Sequence, residues 1–276
     1  MEITCDLAAT DRRRTELTKY LTSRVLAEDF VCRFYDRCKA SHLGVFLEGQ
    51  LHHLGRFYDV YLNGIPFRTV IVGQEYGHRP ARVSLADRYD MIMSSARDCR
   101  FKAGSGYPPR NPHMKGTTSA LRVLFGLPLG SDYESEFLNI GGEECHLFDA
   151  FALVDYLLCS ATGLDEKMRG LATSEMVGNC REHFRQVIKI LEPQIMIVQS
   201  DSFWWAVSAA FDTVDRLSTH SYLGTLAAHR IAIAAFSHPS ANYPKNWGTN
   251  ERTPYLLDTV APTIQSIRSH VLEGAA

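Results

Sequence analysis

Two short stretches of this chain set groups capable of chemistry directly behind apolar runs. Val70-Ile71-Val72 breaks at Gly73 and delivers Gln74 and Glu75, and Ile231 to Phe236 runs into Ser237-His238-Pro239-Ser240-Ala241. A carboxylate can orient or deprotonate a water, and an imidazole can hydrogen-bond a departing group, when both reach one reacting centre. Apolar runs of this length read as buried strands, and ligands bind in open α/β sheets at the C-terminal ends of parallel strands. Parallel neighbours would bring Glu75 and His238 to one rim. Each alone is a weak signal, since an acid after a strand is as readily a solvated turn and a lone histidine there is more often structural. A third candidate is Cys32-x5-Cys38, set among Arg33, Phe34, Tyr35, Asp36 and Arg37, which could be half of a metal site.

The elements that must position these groups follow from periodicity and turn chemistry. Residues 11–30 carry Leu17, Tyr20, Leu21, Val25 and Leu26 on a charged background and predict an amphipathic helix. Residues 57–63 alternate as a strand, Asn63-Gly64 signals a hairpin turn, and Phe67 to Val72 returns as the strand that delivers Glu75. Arg79 to His113, rich in Gly, Pro and Arg, predicts a long functional loop. Gly116 to Phe125 predicts a helix ended by Gly126 and Pro128. Leu147 to Leu158 reads as a strand and loop closing on Cys159, and Glu175 to Leu191 as a helix burying Met176, Cys180, Phe184, Val187, Ile188 and Leu191. Strand Ile195 to Val198, a helix around Phe203 to Phe211, strand Ile231 to Phe236 and a helix from Pro254 to Leu272 complete the pattern. Strands alternating with helices predict an α/β fold with a parallel sheet between helical layers.

Composition bounds the function classes. The 276 residues, 45% hydrophobic and 22% charged, suit one globular domain over 1–276, with 1–40 as a helical N-terminal segment. The formal net charge of −2 gives no global basic field, so nucleic-acid binding would rest on local patches. Such a patch lies between Arg79 and Lys115, where eight Arg and Lys face three Asp, an excess of 8 − 3 = 5. The apolar runs 195–198 and 231–236 are too short to span a bilayer and no signal-peptide run is present, which predicts a cytoplasmic protein without membrane partners. Seven cysteines in that setting argue against a disulfide framework and leave metal ligation or plain burial.

Taken in order, these pieces resemble the uracil-DNA glycosylase superfamily. Gly73-Gln74-Glu75-Tyr76-Gly77 matches its water-activating motif, His238-Pro239-Ser240-Ala241 its His-Pro-Ser motif, and Leu191-Glu192-Pro193-Gln194-Ile195-Met196-Ile197-Val198 the helix, proline and strand that lead to the second. The similarity runs from Cys32 to Tyr243, and the order of the motifs carries most of its specificity. It implies a three-layer α/β/α sandwich with a short, mostly parallel sheet, acting as a monofunctional DNA glycosylase that flips out a base and hydrolyses its N-glycosidic bond.

The resemblance also assigns residues. Glu75 activates water with Gln74 and Gly73 beside it, and His238 holds the departing base. Iron-sulfur members of the superfamily have four cysteines where this chain has Cys32, Cys38, Cys159 and Cys180, which implies a structural [4Fe-4S] cluster, with zinc as the alternative because the x5 spacing departs from the familiar x2. Cys5, Cys99 and Cys145 read as plain thiols. Where those relatives read uracil with Asn, this chain has Asp155, with Asp149 as a second claimant. An ionised Asp only accepts, which suits the amino group of a cytosine-type base; if burial raised its pKa it could instead protonate N3. Gly77 stands where classical members block the 5-substituent with Tyr, and Tyr76 is shifted by one, so a 5-hydroxymethylated or glucosylated cytosine, as in phage DNA, could be accommodated. Pro112-His113-Met114-Lys115-Gly116 falls where relatives stack Phe on the base, so His113 or Met114 takes that place. Ser240, Asn242, Lys245 and Asn246 fall where relatives clamp DNA, with Tyr243 and Trp247 available to fill the vacated stack. The partner is DNA and the chain is expected to be a monomer. Uracil repair and a non-catalytic nucleic-acid-binding module are the alternatives.

Overall fold

The structure, a computed structural model, describes residues 2–42, 44–49, 51–75, 82–104, 106–162 and 172–274. Its centre is a seven-stranded sheet built from β1 (His53–Leu54), β2 (Thr69–Gly73), β3 (Ala152–Asp155), β4 (Ile195–Val198), β5 (Thr213–Arg216), β6 (Ser221–Leu226) and β7 (His229–Ala235), in the order β5-β6-β7-β4-β2-β3-β1. The middle pairings β7-β4, β4-β2 and β2-β3 are parallel, whereas β5-β6, β6-β7 and β1-β3 are antiparallel. The sheet is therefore mixed rather than mostly parallel. The parallel core has the pattern expected of strands buried on both faces, and the antiparallel edges are a hairpin and a two-residue strand.

Side chains alternate across the sheet between two apolar clusters. Val70 and Val72, Met196 and Val198, and Ile231 and Ile233 point into one cluster, with Leu17 and Leu21 of helix α1 (Leu7–Arg24) and Phe184 and Val187 of a later helix (Ser174–Leu191). Ile71, Ile197 and Ala234 point into the other, with the helices Pro112–Leu124 and Ala261–Glu273. In chain order the remaining labels are α2 (Tyr35–Ala40), α3 (Leu85–Asp98), α4 (Pro112–Leu124), α5 (Ser174–Leu191), α6 (Trp204–Ser208) and α7 (Ala261–Glu273). Burial of Val, Ile and Leu on both faces, at about 1.5–3 kcal/mol per side chain, is what stabilises this arrangement.

Three elements differ from their sequence patterns. The stretch 79–113 is not a continuous loop: α3 occupies Leu85–Asp98, begun by a capping box in which Ser84 and Asp87 bond each other's backbone N–H groups. The N-terminal segment is not purely helical, because Ile3–Cys5 pairs with Val60–Leu62. The C-terminal helix opens with a π turn at Leu256–Val260 before α7. Asn63 and Gly64 both take positive φ (49° and 80°), the turn that Asn-Gly was expected to make. Helix α1 is fixed to the body through Arg13, which bonds buried Asp59 at 3.0 Å and the Ile190 carbonyl at the end of α5 at 2.6 Å. No helix among the described residues is long and apolar enough to cross a membrane.

Candidate active site

Strand register brings the expected groups to one rim. Gly73 at the end of β2 lies opposite Asp155 at the end of β3; Val72 lies opposite Val198 of β4, which lies opposite Ala235 of β7. The loops beyond this row are stitched to it, with Gln199 N–H donating to Val72 O at 2.9 Å, Phe236 N–H to Val198 O at 3.0 Å, and Tyr156 and Leu157 N–H to the Gly73 and Gln74 carbonyls at 3.0 and 2.9 Å. Glu75, Asp155, Gln199 and His238 are thereby held at the C-terminal edge of four adjacent parallel strands, the place where such sheets bind ligands.

Glu75 is partly buried, and its Oε2 accepts one long bond from the Ala161 N–H at 3.4 Å. Burial pushes its carboxyl up to about 7; the Ala161 bond opposes this weakly and the charge of Asp155 adds to it. A carboxyl poised near neutrality suits a general base. Asp155 is 3% exposed, and its Oδ2 accepts from Arg88 Nη2 of α3 at 2.5 Å. Burial raises its pKa while the Arg88 guanidinium opposes the rise. Its other oxygen lies over Gly73, where a Cβ would approach Oδ1 to 2.8 Å, so glycine is required at that position. Asp149, the other claimant, stands before β3, at the opposite end of the strand, and accepts the Arg56 N–H at 2.6 Å.

His238 and His113 face each other at the rim, their rings 6.1 Å apart and 23° from parallel. His238 Nδ1 accepts from the Ser240 N–H at 3.2 Å and lies 2.8 Å from Ser240 Oγ. A backbone N–H can only donate, so Nδ1 is the acceptor and the neutral ring carries its proton on Nε2. Burial lowers the His238 pKa and favours that neutral form. His113 opens α4, whose first turn is capped by the Asn111 side chain accepting from Met114 N–H at 2.9 Å. Its ring lies above Gly73, 3.6 Å from where a Cβ would stand. Burial, then the neighbouring His238 and Arg88, push its pKa down to about 3. Met114 is packed in the core instead, so of the two stacking candidates only His113 stands beside His238 and Gly73.

The loop after His238 is packed against α4 at two glycines. A Cβ on Gly116 would meet Pro239 Cγ at 2.7 Å, and one on Gly248 would meet the Pro112 carbonyl at 2.1 Å. Trp247 is fully buried and donates Nε1–H to the Ser237 carbonyl at 2.7 Å. It is a core residue, which corrects its reading as a side chain that enters a base stack. Tyr243 is 77% exposed, Asn242 is exposed, and the Asn242 carbonyl accepts from Lys245 N–H. Ser240 orients the His238 ring. Tyr76 and Gly77 lie outside the described residues.

Arg88, Gln199 and the orienting role of Ser240 were not found from sequence. The capping box Ser84-x-x-Asp87 with Leu85, Ile92 and Ala96 was a legible signal for α3, and hence for an Arg on its inner side. Gln199, directly after the apolar run 195–198, stands where Gly73 does after 70–72.

Cys32, Cys38 of α2, Cys159 and Cys180 of α5 line one small cavity, closed otherwise by Phe30, Phe34, Leu158 and other side chains. His183 Nε2 lies 3.4 Å from Cys32 Sγ, and Asn179 Nδ2–H donates to Cys38 Sγ at 3.3 Å. Burial raises the pKa of all four thiols. Among the described residues no group of three or more His, Cys, Asp or Glu side chains is gathered closely enough to hold a metal ion. Cys5, Cys99 and Cys145 are free thiols outside this cavity.

No family model matches the chain, and no curated protein matches it.

Proposed function

We propose that this protein is a monofunctional DNA glycosylase of uracil-DNA glycosylase-like α/β/α architecture that excises a cytosine-type base. The observation that carries the reading is that Glu75, Asp155 and His238 follow the ends of parallel strands on one rim, a carboxyl near neutrality and a neutral imidazole among them. Neither group alone distinguishes an enzyme from a surface loop; their shared level on the sheet supports catalysis.

The geometry gives each residue one task. A flipped nucleotide enters at the rim beside the end of β2, where His113 offers a flat ring to its base. Glu75 takes a proton from, or orients, the water that attacks the sugar carbon, and its negative charge stabilises the cationic sugar. His238 donates Nε2–H to the base oxygen that gains charge as the glycosidic bond breaks. Asp155 accepts from the exocyclic amino group at the opposite edge of the base. A 5-hydroxymethylated or glucosylated cytosine is the preferred substrate within this class, which places the activity in defence against phage carrying such DNA.

Cys32, Cys38, Cys159 and Cys180 would hold a [4Fe-4S] cluster, with zinc as the alternative. What supports a thiolate-held group is the chemistry of the lining: four thiols border one apolar cavity with no carboxylate in its wall. The group supplies a cross-link between α2, the strand Cys159–Thr162 and α5.

The test is abasic-site formation on DNAs carrying uracil, cytosine, 5-hydroxymethylcytosine or its glucosylated form. Excision confined to a cytosine derivative, abolished in Glu75→Ala and His238→Ala with DNA binding retained, is the expected result. Excision of uracil alone would make this a repair enzyme, and inactivity on every substrate would leave a nucleic-acid-binding module.

A further inference from the structure

We propose that Arg88 is the positioning residue of base recognition: it engages one oxygen of Asp155 and leaves the other, fixed over Gly73, as the acceptor that selects an amino group on the base. This inference rests on the glycosylase reading and deepens it by naming what sets base choice.

The ion pair is buried on both sides, each side chain being 3% exposed, and its 2.5 Å separation joins α3 to the end of β3. Arg88 is delivered by a well-anchored helix. Its N–H donates to Ser84 O at 3.0 Å within the capped first turn, and the adjacent Tyr89 ring stacks on His53, 5.7 Å away and 20° from parallel. His53 in turn bonds the Phe148 carbonyl at 2.7 Å, so the helix cannot shift without unseating the strand edge.

A buried Arg beside a buried Asp could simply neutralise it, but the direction of the second oxygen argues for more. Oδ1 lies 2.8 Å, and His113 Cε1 3.6 Å, from the same point above Gly73. The oxygen therefore stands at the strand end next to the imidazole, where it can meet the edge of a base stacked on His113. The Arg88 guanidinium favours the charged carboxylate against the rise that burial causes, and a charged carboxylate has no proton to offer. It accepts from an N4 amino group and repels the carbonyl that uracil presents at that edge. Without Arg88, a buried carboxylate already crowded by Glu75 would take up a proton. It would then present a donor as well as an acceptor and lose the distinction.

The experiment measures excision rates on cytosine-type and uracil DNA for wild type, Arg88→Lys, Arg88→Gln, Asp155→Asn and the Arg88→Gln/Asp155→Asn double variant, with circular dichroism to confirm folding. The cytosine-to-uracil rate ratio should fall about tenfold or more in Arg88→Gln, the size of one base-edge contact, and recover largely in Arg88→Lys. In the Asp155→Asn background, adding Arg88→Gln should change the ratio less than about twofold, because Arg88 acts through Asp155. If Arg88→Gln does not fold, the neutral double variant and Arg88→Lys carry the comparison. A uniform loss of rate on both bases, or a ratio that moves equally in both backgrounds, makes Arg88 merely structural and overturns the inference while the glycosylase reading stands. Wild-type protein inactive on every base overturns that reading, and this inference with it.

Discussion

Glu75→Gln should make the folded protein more stable, and by an amount that depends on pH. The carboxyl is raised from an ordinary 4.5 to about 7, chiefly by burial. A carboxyl raised by folding binds its proton more tightly in the folded chain, so the folded state gains as pH falls through 7 toward 4.5 and bears the full cost of ionisation above 7. At 1.36 kcal/mol per unit, that cost is about 0.8 kcal/mol at pH 5, about 2 kcal/mol at pH 6 and about 3 kcal/mol at pH 8. Gln keeps an acceptor for the Ala161 N–H and removes the charge. The variant's advantage over wild type should therefore grow by about 2 kcal/mol between pH 5 and pH 8, read as the difference in urea unfolding free energy followed by tryptophan fluorescence. Groups that titrate elsewhere contribute equally to both proteins and cancel. The same carboxyl must be ionised to work, so wild-type excision should rise with pH through a midpoint near 7 while Glu75→Gln stays inactive. A stability difference flat to within about 0.5 kcal/mol from pH 5 to pH 8 would show that Glu75 ionises as an ordinary surface acid, and the base assigned to the site would have no poised pKa.

Other parts of the structure give equally direct expectations. Gly116→Ala drives a methyl into Pro239, so the protein should still fold, at a cost of about 1–3 kcal/mol, while the displaced His238 lowers excision by about two orders of magnitude in single-turnover assays. Glu136 sits at 0% exposure between Arg110 at 2.6 Å and His146 at 2.9 Å, with Arg122 at 3.6 Å. Glu136→Gln leaves the buried Arg110 guanidinium without its carboxylate and should cost about 3–5 kcal/mol in denaturant unfolding, Arg122 keeping Asp132 at 3.2 Å. Protein purified without oxygen should contain iron and acid-labile sulfide, and Cys180→Ser should lose both and increase hydrogen exchange in α2; zinc in place of iron would identify the alternative occupant.

How far the sequence was legible depends on how local each signal is. Strand Ile195–Val198 and helix Ser174–Leu191 lie within a residue of their expected bounds, because four consecutive apolar residues and a nine-residue buried face are properties of the segment itself. The strand ends that carry Glu75 and His238 were legible for the same reason. Helix α3 was obscured by the glycines and prolines at 104–112, which gave the whole of 79–113 the composition of a loop, although Ser84 and Asp87 marked its start. The antiparallel hairpin β5-β6 has no apolar alternation on its outer strand, where three of four residues are exposed, so nothing in its pattern separates it from coil. The Arg88–Asp155 pair was beyond reach altogether, since it is made by side chains 67 positions apart whose meeting depends on how a helix docks on a sheet edge. The choice between His113 and Met114 likewise turned on helix phase, which a one-residue slip in a motif cannot fix.

The order of the strands along the chain sets when the site comes into being. β2, β3 and β4 bring Glu75, Asp155 and Gln199 to the rim, but β7, the last of the seven strands to be synthesised, supplies His238 and pairs with β4 near the middle of the sheet. Pairings between segments so distant must wait until the later segment exists. A growing or truncated chain that stops before residue 238 thus carries Glu75 and Asp155 without His238. Under the proposed function such products would be inert on DNA, and base excision would begin only once β7 and the His238 loop are in place.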